Sequence, residues 1–98
     1  MARPRFYRNT TENVLKIYRV LVKAHQEDRG HITVGEIARM AGLHKWTVSR
    51  TLDVWMAPFV DMVIPEELED VGLKIKLVRI KNPDIGEEQV VRGLRTML

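Results

Sequence analysis

Thr33-Val34-Gly35-Glu36-Ile37-Ala38-Arg39-Met40-Ala41-Gly42-Leu43-His44-Lys45-Trp46-Thr47-Val48-Ser49-Arg50-Thr51-Leu52 is the stretch on which the fold turns. Thr33 and Glu36 have the spacing of a capping box, a hydroxyl followed three residues later by a carboxylate. A short helix from Val34 to Met40 or Ala41 buries Ile37, Ala38 and Ala41. Gly42 breaks it, and Leu43 plugs the corner. A second helix runs from Lys45 to Met56 with Val48, Leu52 and Trp55 on one face. Pro58 bounds it, because residues before proline avoid the helical region. Ala38 is small where the two helices cross, so their backbones can approach. Lys45, Trp46, Ser49, Arg50 and Asp53 are left pointing outward.

Upstream, Val14, Ile17, Tyr18, Leu21, Ala24 and His25 recur at helical spacing and predict a helix over 12–28. Thr10 or Thr11 can cap it, and Gly30 ends it. Ile32 is an isolated, strand-like residue. Residues 1–9 form an irregular arm with Arg3, Arg5, Arg8, Phe6 and Tyr7.

Downstream, Val60 to Ile64 reads as a strand. Pro65 to Gly72 is acidic, with room for one helical turn. Leu73 to Leu77 alternates strictly, as a half-exposed strand does. The phase then slips to Val78 and Ile80, so either a bulge lies near Leu77–Val78 or both faces are partly covered. The two strands make a hairpin with a long tip, and Asn82-Pro83 stops the second. Asp84 and Glu87 form another capping pair for a last helix over 85–97. Gly86 and Gly93 weaken that helix by ~1 kcal/mol each.

The quoted stretch resembles the helix-turn-helix of bacterial and archaeal transcription regulators. The order around it, helix, tiny strand, helix, turn, helix and hairpin, is similar to that of the winged helix-turn-helix superfamily from Glu12 to Lys81. The resemblance implies an α+β, mainly helical fold: a three-helix core, a β-hairpin wing and an extra C-terminal helix. Residues 1–10 would be a basic arm, 11–82 the winged domain, and 83–98 a C-terminal helix for dimerisation.

It also implies sequence-specific binding of double-stranded DNA by a transcriptional regulator, with the helix 45–56 in the major groove. Lys45 and Arg50 would meet guanine edges or phosphates, and Ser49 would be a small close contact. His44 and Thr47 would hold a phosphate near the helix start, and Arg39 would reach the backbone from the preceding helix. Trp46 stands where the family usually has a small or polar residue. It either packs on sugars and thymine methyls or folds onto the protein surface. Asp53 would repel phosphate, accept from a cytosine amine, or mark the groove's edge.

The wing departs from the family. Its tip carries Glu66, Glu67, Glu69 and Asp70 and no cation, while Lys74, Lys76, Arg79 and Lys81 lie on the return strand. Either the tip leans away while the strand, through Lys74 and Lys76, meets the DNA backbone, or the wing is a protein-interaction surface. The arm, with Arg5, follows a groove, forms a free tail, or packs on a partner subunit. Val90, Leu94 and Met97 give the last helix an apolar side that pairs with another copy as a homodimer or packs on the chain's own first helix.

The remaining composition bounds these readings. Ninety-eight residues, 45% apolar and 30% charged, make one small domain. The charge is split: residues 1–50 carry ten Lys/Arg and four Asp/Glu (+6), and residues 51–98 carry six and nine (−3). A basic half suits a polyanion. No cysteine is present, so disulfides, thiolate chemistry and cysteine-held metals are excluded. No apolar run approaches the about 20 residues of a membrane span, and no signal-peptide pattern opens the chain. The expectation is a cytoplasmic protein that is not an enzyme and takes no cofactor or metal. A winged-helix assembly module using the acidic wing, and replication-origin or RNA binding, remain as alternatives.

Overall fold

The computed structural model describes residues 9–72 and 75–96. They form an α+β, mainly helical fold with a small antiparallel sheet. In chain order these are α1 (Thr10–Gln26), β1 (Ile32–Thr33), α2 (Val34–Ala41), α3 (Lys45–Thr51), β2 (Val60–Val63), α4 (Glu66–Asp70), β3 (Leu77–Ile80) and α5 (Glu87–Thr96). Among the described residues, no helix is long and apolar enough to cross a membrane.

Apolar residues three and four apart on α1 face one way, and that face is the spine of the core. Val14, Ile17, Tyr18, Leu21 and Ala24 are all buried, and α2, α3, β3 and α5 pack around α1. The helix starts and stops two residues earlier than the pattern predicts. Asn9 takes the cap position without a side-chain bond, and Thr10 is already helical and buried. At the other end Asp28, at φ 54°, makes the first left-handed turn before Gly30 at φ 68°. Asp tolerates that conformation, and the Arg29 N–H closes the end on the Ala24 carbonyl at 2.9 Å.

The sheet order is β1-β3-β2, with both pairings antiparallel. Ile32 faces Val78, Val60 faces Ile80, and all four side chains are buried. The second strand of the hairpin, expected from Leu73 to its stop at Asn82-Pro83 with a slip near Leu77–Val78, is strand over Leu77–Ile80 among the described residues. Its partner decides this. Pairing ends at Val63 opposite Leu77, because Pro65 cannot donate to a ladder and α4 begins at Glu66. Ile75 and Lys76, just before it, pair with no strand among the described residues.

Two further boundaries differ. The helix predicted over 45–56 is α-helical only to Thr51. Leu52–Met56 then widens into a π-helical turn, and Ala57–Phe59 tightens into a 3-10 turn. The Thr51 hydroxyl donates to the Thr47 carbonyl at 2.7 Å, a back-bond that bends helices, and Pro58 supplies no N–H. The last helix begins at Glu87 rather than Ile85. The expected Asp84–Glu87 cap is replaced: Gln89 Oε1 accepts from the Gly86 N–H at 2.9 Å, while Asn82 Oδ1 accepts from the Asp84 N–H at 3.0 Å.

Val90 and Leu94 are fully buried within the chain. Arg19 grips Glu87 through two bonds of 3.0 and 2.8 Å, and the Tyr18 hydroxyl donates to the Ile85 carbonyl. Within the chain, then, the apolar side of α5 packs on α1, the second of the two uses expected of it. Met97 lies outside the described residues.

Candidate nucleic-acid interface

The α2–turn–α3 unit is set from its first residue. Thr33 Oγ1 accepts from the Glu36 N–H at 3.1 Å, and Glu36 Oε1 accepts from the Thr33 N–H at 3.4 Å, completing the capping box. Arg29 forms an ion pair with Glu36. These bonds hold the Glu36 carboxyl below its ordinary value, the Thr33 N–H first and Arg29 after it. At the far end Gly42 takes φ 70°, a turn that a side chain would strain. The Leu43 N–H then donates to the Ala38 carbonyl at 2.9 Å.

Val48 and Leu52 are fully buried and seat α3 against the core, and Trp55 is buried beside them. That fixes what faces out. Lys45, Trp46 and Arg50 are exposed, and Thr47 and Ser49 are half-buried. Trp46 is 69% exposed, unusual for so large an apolar ring. The Arg50 guanidinium carbon lies 5.5 Å from its ring centroid, within cation–π range. A Cβ built on Gly35 would sit 3.3 Å from Lys45 Cε, so the Lys45 stem runs past the start of α2.

Two hollows flank this ridge. One, of about 550 Å³, lies toward the segment leading into β3 and brings together Lys45, Trp46, Ser49 and Lys76 with Thr33, Gly35 and Ile75. The other, of about 370 Å³, lies toward α1 and brings together Trp46, Thr47 and Arg50 with Asn9, Asn13 and Trp55. His44, exposed at the cap position of α3 with no side-chain cap bond, shares a shallower hollow with Gly42, Leu43 and Thr47. Arg39 is exposed in the last turn of α2 and lines none of these hollows. Arg5 and Lys74 lie outside the described residues.

The return strand offers less positive charge than its sequence promises. Lys76 Nζ is bonded to Asp53 Oδ1 at 2.9 Å, and Arg79 Nε lies 3.5 Å from Asp61 Oδ2. Asp53 therefore has a defined partner on the outward face. Sequence reasoning missed that pair, and it missed Asn9 and Asn13. A signal for the asparagines was present: residues four apart on a helix share a face.

No protein-family model matches the chain, and no curated protein or solved structure matches it either. The site must be read from its own chemistry. Among the described residues, no three His, Asp or Glu side chains cluster as a metal site would need. What the face offers is two cations, small hydroxyls and an open indole on a rigid helix.

Proposed function

We propose that the chain is a winged helix-turn-helix module that binds duplex DNA, with the outward face of α3 in the major groove, and that it acts in transcriptional regulation. The observation that carries this reading is the uncovered ridge of Lys45, Trp46, Ser49 and Arg50 on a helix whose opposite side is sealed in the core. The element order α1-β1-α2-α3-β2-α4-β3 and the antiparallel pairing of β2 with β3 support it.

In this reading Arg50 and Lys45 donate to guanine edges or phosphates. Thr47 and Ser49 make close polar contacts, and the Trp46 ring packs on sugars or thymine methyls. Asn9 and Asn13 line the α1-side hollow beside Trp46 and Arg50. Phosphate contacts supply most of the affinity, which makes binding steeply salt-dependent. One copy presents the whole face. A homodimer would add a second half-site, and it would draw on surfaces other than Val90 and Leu94.

A second reading is favoured by the wing. Val71 is 70% exposed, Val63 and Ile64 are also exposed, and the α4 carboxylates of Glu66, Glu67 and Asp70 face solvent. Exposed apolar residues among carboxylates suit a protein partner better than phosphate. The readings separate on immobilised random-sequence duplex at low salt. Retention with release by salt is the expected result. Passage through the column, together with a stable co-purifying protein, would favour the assembly module.

A further inference from the structure

The hollow between the start of α1 and α3 has a lining richer than a phosphate groove needs. Among the described residues it is lined by one cation, Arg50, with two indoles, Trp46 and Trp55, and two carboxamides, Asn9 and Asn13. Trp46 and Arg50 stand together, a flat aromatic beside a flat cation, 5.5 Å from guanidinium carbon to ring centroid. Bases stack on both kinds of surface. Trp55 is nearly buried and adds a fixed apolar wall.

Asn9 and Asn13 are one turn apart, with the Asn13 N–H donating to the Asn9 carbonyl at 2.9 Å. A carboxamide carries a donor and an acceptor side by side, the pair that addresses N6 and N7 of adenine. The volume, about 370 Å³, falls at the small end of the about 300–1,000 Å³ range of ligand pockets. A base inside a duplex cannot use such a pocket, because both its faces are already stacked.

We propose that this hollow takes one unpaired nucleobase, adenine by preference, where a duplex is open. The proposal rests on α3 being the nucleic-acid face, and it names the ligand of that face's α1 side. A fully paired duplex must pay to unstack and unpair a base before it can enter. A duplex with a base already unpaired does not.

The test is fluorescence anisotropy on three labelled duplexes of the same flanking sequence: fully paired, with one unpaired adenine, and with one unpaired thymine. The expected result is binding to the adenine bulge about tenfold or more tighter than to paired duplex, and tighter than to the thymine bulge. Asn13→Ala should bring the adenine bulge down to the level of the thymine bulge. An unpaired 2-aminopurine should lose fluorescence on binding the wild type and keep it with Trp46→Ala. Equal binding of paired and bulged duplexes overturns the pocket and leaves the duplex reading standing. Equal binding of the two bulges removes the role given to the carboxamides. Binding to the bulges alone supports the pocket and overturns the duplex reading, and binding to none of the three overturns both.

Discussion

Lys76 Nζ lies 2.9 Å from Asp53 Oδ1, pinning the segment that leads into β3 to the widened end of α3. The pair holds one face together and cancels one positive charge on it. Its contribution to stability is small, about 0–1 kcal/mol for an ion pair with an exposed partner. Its effect on binding is larger. Asp53→Asn removes a carboxylate from the proposed DNA face and frees Lys76. Affinity for duplex should rise several-fold, and the slope of log affinity against log salt should steepen by about 1. Salt titrations of both proteins check this. A loss of affinity would instead make Asp53 an acceptor from a base.

Gly93 is where α5 meets the ring of Phe59. A Cβ built there would stand 2.8 Å from Phe59 Cζ, a separation that forces the ring or the helix to move. Gly93→Ala should gain ~1 kcal/mol of helix propensity and lose about 1–3 kcal/mol to overpacking. Urea denaturation should show a net loss for the single variant, and the double variant Phe59→Leu/Gly93→Ala should recover part of it. A stabilised Gly93→Ala would show that the ring yields freely.

Leu94 is fully buried within one chain. Leu94→Ala should cost about 2–5 kcal/mol, and the thermal midpoint of the wild type should not depend on protein concentration. A midpoint that rises with concentration in the wild type and loses that dependence in Leu94→Ala would place this side chain in a core shared between copies.

Two carboxyls contribute to the acid limb of stability. The Thr33 N–H and then Arg29 hold Glu36 below its ordinary 4.5, and the Arg19 guanidinium does the same for Glu87. Unfolding returns both to ordinary values, so the unfolded chain takes up protons first as the pH falls. Their stabilisation is complete above about pH 4.5 and is lost as the pH drops through the lower folded values. Glu36→Gln keeps an acceptor for the capping box but no charge. Its urea midpoint should be lower than wild type at pH 7, and the gap should narrow towards pH 3. A gap that stays constant with pH would assign the Glu36 contribution to hydrogen bonding alone.

What was legible in the sequence was local. The Thr33–Glu36 box, the Gly42 turn, and the burial of Val48, Leu52 and Trp55 follow from spacings within a few residues, and the structure carries all of them. The second strand of the hairpin lies within the expected run, at Leu77–Ile80, and its start was not legible, because alternation along Leu73–Leu77 says nothing of where its partner stops. That limit comes from Val63 and Pro65, on the far side of α4. The Asp53–Lys76 pair spans 23 residues, and the α1-side hollow joins residues 9–13 to residues 46–55. No periodicity along the chain encodes either. The apolar face of α5 was visible, but whether it met its own chain or another copy depended on how the last turn returned to α1.

The most direct test of the account is a gel-shift titration of wild type and the double variant Lys45→Ala/Arg50→Ala against a duplex the wild type binds specifically. Both side chains are exposed, so the variant should fold normally by circular dichroism. The account predicts a loss of about 1–3 kcal/mol for each base contact removed. That is tenfold or more overall, and discrimination against random duplex should fall with it. Equal affinity of the two proteins would contradict the assignment of α3 as the DNA-binding face.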